Sequence, residues 1–480
     1  MNELVDRAIG AATSAGASHA EARVVMKTGE SYEVKNGVPV VAQHGSSEGL
    51  GVRVVVDGAW GFAALPELTA QGAERAARLA VEVARASAMA AKEPVRLAPA
   101  AKLSGTYVTP HVVDPLSVPV ERKIELLLRA ERAMQGRPHV KITQAFLSVH
   151  RRRTLFANSA GSRYDQTIVE TGGGIQATAI QDGESQVRSY PNSFRGNFAT
   201  AGFEYFESLG LEAQAPRIAE EAEALLSAPM CPAGRRDIII DASQLALQVH
   251  ESIGHPIELD RVFGTEAAYA GTSFLTTDKL GTFRYGSEHV NVVADATVPG
   301  GLGTFGWDDE GIPAQRIPVI DHGVFVGYIS DRESAGRLGM ASSGAARADG
   351  WSAIPLVRMT NINLLPGPWE LDALLADTDG GLFLTTNRSW SIDDRRVNFQ
   401  FGTEAAFEIK GGKLGTMYKK PSYTGITPEF WGSCDAVCSG KYWQMFGTPN
   451  CGKGEPGQTA HVGHGTAPAR FRNVQVGVVR

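Results

Sequence analysis

The chain has 480 residues, 43% of them hydrophobic and 20% charged, and carries a formal net charge of -6. That length exceeds one ordinary core and implies two or more domains, with the apolar content of a globular protein. The acidic balance and the lack of a long basic tract argue against a nucleic-acid partner held by phosphate contacts. No apolar run approaches a membrane span, and Met1-Asn2-Glu3-Leu4-Val5-Asp6-Arg7 has acidic residues where a secretory signal has basic and apolar ones. A cytoplasmic protein without a membrane partner is expected. Cys231, Cys434, Cys438 and Cys451 are too few for a disulfide framework in a chain of this length.

In chain order, residues 2–16 have helical spacing and close on Gly16. From Ala20 the pattern turns to strands, Glu21 to Met26, Ser31 to Lys35 and Gly51 to Val56, with Asn36-Gly37 and Asp57-Gly58 as hairpin turns. A long alanine-rich helix is predicted over 68–91. Residues 93–118, rich in proline, read as a linker or an extended crossing segment. A helix over 118–134 and strands from Val140 to Ser189, broken at Gly172-Gly173-Gly174, repeat the opening order of parts. Residues 1–92 and 118–228 could thus be a diverged repeat or one larger α+β domain. A helix over 211–227 and a boundary near Pro229 end this half.

The second half opens with the apolar strand Arg236 to Asp241, then a helix capped by Ser243. Strands and hairpins follow, among them 356–364, 381–389, 396–401 and 405–417. The fold class expected is α+β. An N-terminal helix-plus-antiparallel-sheet domain (1–228) precedes a mostly antiparallel β domain (229–480), a large sheet or distorted barrel with a metal-bearing helix near its start.

That helix carries His250-Glu251-Ser252-Ile253-Gly254-His255-Pro256. Two imidazoles and a carboxylate in six residues suit a metal site with its own general base. The spacing is H-E-x-x-x-H, one residue longer than the helical H-E-x-x-H. At about 100° per residue the second histidine would lie ~140° around an ideal helix. The helix is therefore predicted to stop between them, with Gly254 as terminator and His255 turned out of the helix by Pro256. Spacing leaves the third ligand open among Glu258, Asp260, His289, His322, Cys451, His461 and His464. Cys434 and Cys438, spaced C-x-x-x-C, read as structural, as does Cys231. Asp308, Asp309, Glu310 and Arg347 read as solvated turn residues.

The segments His250 to Asp260, Phe263 to Thr272, Cys451 to Gln458 and Gly465 to Arg472 resemble the TldD/PmbA metalloproteases, specifically the TldD-like branch, and the resemblance covers nearly the whole chain. It implies a Zn2+ site of His250, His255 and Cys451, with Glu251 as catalytic base. It also implies hydrolysis of unstructured peptides in an enclosed cavity, and a homodimer or a heterodimer with a metal-less PmbA/TldE-like paralogue. The alternative is a non-catalytic peptide-binding or scaffold subunit with a structural metal.

Overall fold

The computed structural model describes residues 1–477. It is α+β with mostly antiparallel strands, as the sequence predicts. Helix α1 (Asn2–Ser14) leads into β1 (His19–Lys35), β2 (Val38–Val56) and β3 (Ala59–Leu65), followed by α2 (Ala70–Ala88). After β4 (Ser104–Val108) the order recurs in α3 (Val120–Arg132), β5 (Val140–Asn158), β6 (Arg163–Gln181) and β7 (Glu184–Tyr190). Then come β8 (Asn197–Ala199), α4 (Phe203–Ser208) and α5 (Leu211–Ser227). β1 and β5 pair antiparallel and join everything into one eight-stranded sheet.

β1 and β5 extend past their hydrophobic runs, because the polar residues at their centres are paired on both sides. The glycines at 172–174 do not break β6. A Cβ on Gly173 would come within 2.1 Å of the Phe146 carbonyl oxygen, and one on Gly172 within 2.3 Å of the Phe198 ring. Glycine there permits close approach of neighbouring chain.

Side chains alternate across a strand, so β1 sorts its residues by parity. Ala22 and Val24 pack under α1 and α2, while Tyr32 and Val34 pack under α3 and α5, all on one face. The opposite face carries Arg23 and, from neighbouring strands, Arg53 and Arg152. These meet the second half of the chain: Arg53 pairs with Glu310 at 2.5 Å, and Arg23 and Arg152 with Asp309 at 3.3 and 2.9 Å. Asp308, Asp309 and Glu310 are therefore buried, at 1, 4 and 1% exposure, and are not solvated turn residues. Arg347 is also largely buried, donating to the carbonyls of Met359 and His461. An acidic run looks like a surface turn until its arginine partners, 157 to 286 positions upstream, are brought to it.

In the second half, β9 (Gly234–Ile240) pairs with strands Leu382–Ile392 and Ala469–Val476. Ala469–Val476 pairs with Ser422–Ile426, that strand with Asn398–Lys410, and Asn398–Lys410 returns to Leu382–Ile392. The five strands close on themselves as a small barrel, in which Leu382–Ile392 meets β9 only from Leu382 to Leu384 and leaves its far half paired on one side. Its core includes Ile238, Ile240, Leu384, Phe401, Tyr423 and Phe471. The segment predicted as one strand over 356–364 is two short strands in different sheets, Leu356–Val357 and Ile362–Leu364. No helix among the described residues is long and apolar enough to cross a membrane.

Candidate metal centre

Helix α6 (Ala242–Val249) leaves β9 under a cap from Asp241, whose side chain accepts from the Gln244 amide at 2.9 Å. Ser243, predicted as the cap, instead donates to Asp241. A carboxylate meets the helix N-terminus better than a hydroxyl does.

Contrary to expectation, the helix does not stop inside the histidine motif. From His250 to Gly254 it widens into a π turn, and the His255 amide donates to the His250 carbonyl, five residues back, at 3.2 Å. His255 keeps helical dihedrals (φ -67, ψ -42) although Pro256 follows. An i→i+5 bond stacks residues five apart in successive turns, as i and i+4 stack in an α-helix. The extra residue of H-E-x-x-x-H is absorbed in the wider turn, and both imidazoles stay on one face. Their ring centroids are 4.9 Å apart and their planes 89° to each other.

The π turn is held from outside. Tyr285 donates to the Ser252 carbonyl and Trp431 to the Ser252 hydroxyl, and the Ile257 amide continues the helix onto Ile253 at 3.3 Å. Gly254 is not a terminator. A Cβ there would come within 2.2 Å of the Met359 sulfur, so glycine lets the turn pack closely.

Cys451 arrives from strand Gln444–Lys453, where the pairing with Gln458–Thr466 shifts register between Thr448 and Cys451. A bulge of this kind re-aims a side chain. Cys451 Sγ lies 3.9 Å from His255 Nε2, and the potential donor atoms of His250, His255 and Cys451 all fall within 4.8 Å of one another. All three are buried.

Behind them lies a second layer. Glu258 meets His255 Nδ1 at 2.9 Å, leaving Nε2 toward the cysteine. His464 Nε2 meets His250 Nδ1 at 2.7 Å. Lys453 donates to Asp260 at 2.7 Å and stands 3.4 Å from Glu258, while Arg261 reaches both Glu258 and Glu266. Of the open candidates, then, Glu258, Asp260 and His464 belong to this layer. His461 pairs with Glu170 at 2.6 Å facing another cavity, and His289 and His322 are exposed.

Burial alone would push the Cys451 thiol up, but the two imidazoles outweigh it and hold the thiol well below its usual range. Burial likewise opposes a charged His250, and the thiolate raises it. Burial and His250 together hold His464 well below the usual imidazole range, so it is neutral and can accept the His250 Nδ1 proton. Burial would raise Glu251, yet His250, His255 and Arg396 outweigh it and keep the carboxyl below its ordinary value.

Two imidazoles and a thiolate are a donor set that suits zinc, whose bonds of about 2.0–2.3 Å place tetrahedral ligand atoms roughly 3.5 Å apart. The 3.9 Å Cys451–His255 separation is close to that. A carboxylate behind a ligating imidazole is the usual outer support of such a site. The residues present therefore fit a metal ion. Among the described residues the group holds three candidate ligands, not four.

Beside them opens a cavity of ≈ 420 Å³, lined by Glu251, Asn387, Trp390, Arg396 and Phe446 among others. A larger one of ≈ 600 Å³, walled by Glu170, His461, Asp309 and Arg347, contains none of the three. Of these two cavities, only the smaller is lined by His250, His255 and Cys451.

Arg396 was not legible from sequence. Its Nη1 donates to Glu251 Oε2 at 2.7 Å from a loop 145 residues away. Nor was the lysine of Cys451-Gly452-Lys453, although a fully buried lysine two residues from a candidate ligand is a usable signal once burial is known.

Three family models match in sequence: PmbA/TldA metallopeptidase domain 1 over residues 20–84, the central domain over 113–226 and the C-terminal domain over 233–477. A metalloprotease of Methanothermobacter thermautotrophicus is 30% identical over 480 residues, covering 99% of this chain and 97% of that protein. A Haemophilus influenzae protein named metalloprotease TldD homolog is 26% identical over 93% of this chain and 90% of its own length. The crystal structure of TldE from Thermococcus kodakarensis superposes with a TM-score of 0.73 at 15% identity, covering 99% of this chain and 100% of that one. At that identity the likeness bears on the fold alone.

Proposed function

The chain belongs to the TldD/PmbA metallopeptidase family, and on that premise we propose that it is a zinc-dependent peptidase for unstructured peptides, with His250, His255 and Cys451 as ligands and Glu251 as general base. The observation that carries this reading is the meeting of the three donor atoms with the Glu251 carboxylate at one cavity.

A bound zinc would polarise the peptide carbonyl and acidify a water molecule. The chain does the rest. Glu251, held ionised, takes the proton that water loses on attacking the carbonyl carbon and passes it to the leaving amine as the C–N bond breaks. Glu258 and His464 hold the two imidazoles by Nδ1, so each offers Nε2 inward. The rims of the cavity are strand segments, Asn387 to Ile392 and Phe446 to Gly452. An extended peptide can pair its main chain with them, which gives binding with little dependence on side chains.

Three ligands beside an open cavity favour catalysis over the scaffold reading, since structural zinc sites fill all four positions with protein. The partner in this proposal is a second copy or a metal-less TldE-type subunit, and the compartment is the cytoplasm. Chelator-sensitive hydrolysis of an unfolded peptide by zinc-loaded protein, with and without such a partner, tests it.

A further inference from the structure

Arg396 sits in the tight loop Asp393–Val397 between two barrel strands, with left-handed backbone at φ 66. A non-glycine residue adopts that conformation at a cost and keeps it only when its surroundings enforce it. Here they do. The Asp393 carboxylate accepts from the amides of Arg395, Val397 and Asn398 and from the Asn398 side chain. The Arg396 amide donates to the Asp393 carbonyl at 2.9 Å, and the Arg396 carbonyl accepts from the Thr427 hydroxyl at 2.8 Å. The neighbouring loop closes over it, with Gly271 too near the Asp394 carbonyl for any Cβ.

This fixed loop delivers the Arg396 side chain, only 12% exposed, to the cavity wall, where Nη1 donates to Glu251 Oε2. Its Nε is buried and meets no hydrogen-bond partner among the described residues. A left-handed backbone at a non-glycine residue works against stability, so the arrangement is not explained by folding alone. Glu251 accepts no hydrogen bond at Oε1 among the described residues, so Oε2 is the engaged oxygen and Oε1 the free one.

We propose that Arg396 is the positioning residue of Glu251: it clamps Oε2 and thereby fixes Oε1 as the oxygen that receives the proton of the attacking water. The step is a water O–H breaking to Oε1 as the water oxygen bonds to the carbonyl carbon, whose π pair moves onto the carbonyl oxygen. Arg396 neither gains nor loses a proton. This rests on the peptidase reading of the site.

The test is a double-mutant cycle on the zinc-loaded protein with Arg396→Ala, Glu251→Gln and both together, with Arg396→Lys as a second variant that keeps charge in the loop. Arg396→Ala is expected to keep its zinc and to lose roughly 100-fold in kcat, with KM within about threefold. Free guanidinium should restore part of that loss, and Arg396→Lys should fall between. In the Glu251→Gln background the same Arg396→Ala change should alter the residual rate by less than about twofold, because its effect acts through Glu251. A crystal structure of zinc-free Arg396→Ala should show the Glu251 carboxylate in more than one rotamer. Equal losses in both backgrounds, loss of zinc, or unchanged kcat in Arg396→Ala would each overturn the inference. Wild-type protein that binds zinc and cleaves nothing would instead overturn the peptidase reading beneath it.

Discussion

Cys451 Sγ stands 3.9 Å from His255 Nε2 across 196 residues of chain. An ion at this point would tie α6 to the C-terminal hairpin. Metal affinity and folding of the second half are then one quantity, because a site that exists only in the folded chain stabilises it by its binding energy. Zinc at a thousandfold excess over its dissociation constant should stabilise the protein by about 4 kcal/mol, seen as a rise in Tm on zinc addition. Cys451→Ser should abolish the rise while leaving the zinc-free Tm within a few degrees. A zinc-dependent Tm that survives Cys451→Ser would place the ion elsewhere.

Gly254 offers a test of the π turn. Gly254→Ala should destabilise by about 1–3 kcal/mol, the usual range for overpacking, because its methyl meets the Met359 sulfur. Shortening that neighbour, as in Gly254→Ala with Met359→Ala, should make the alanine better tolerated than it is in the wild-type background. Gly254→Ala with unchanged stability and zinc affinity would show that the close contact is not a constraint.

Much of the fold was legible because it is written in local chemistry. The Asn36-Gly37 and Asp57-Gly58 turns, the helix Leu211–Ser227 and the strand into α6 all stand where composition and periodicity put them. What was not legible depends on tertiary contact. A spacing of five between His250 and His255 permits either a helix that ends or one that widens, and Pro256 pointed to the first. The second is selected by Tyr285 and Trp431 gripping Ser252, residues 33 and 179 positions away. Arg396 and the buried acids at 308–310 were missed for the same reason: their partners are distant in sequence. For the site, the sequence supplied the histidines and the adjacent glutamate. The family resemblance supplied Cys451.

The pair Glu170–His461 gives the protein an acid limit away from the site. Burial would raise the Glu170 carboxyl, yet His461 outweighs it and holds it at about 2, against 4.5 ordinarily. A carboxyl depressed on folding contributes stability that is complete above its unfolded value and is lost as pH falls through its folded one. The contribution, on the order of 3 kcal/mol at most, should therefore disappear between pH 4.5 and pH 2. Tm followed from pH 6 to pH 3 should fall more steeply in wild type than in Glu170→Gln. Parallel curves for the two proteins would remove Glu170 from the acid transition.

The metal and its base are assigned to one cavity, lined by His250, His255, Cys451 and Glu251. Glu251→Gln keeps the shape of the site and removes the proton acceptor, so the most direct measurement is zinc content and peptide hydrolysis on the same preparation of that variant, beside wild type and Cys451→Ser. Glu251→Gln should bind one zinc per chain and lose at least about 100-fold of a chelator-sensitive activity, with Cys451→Ser losing both. Hydrolysis by Glu251→Gln at the wild-type rate would contradict that assignment.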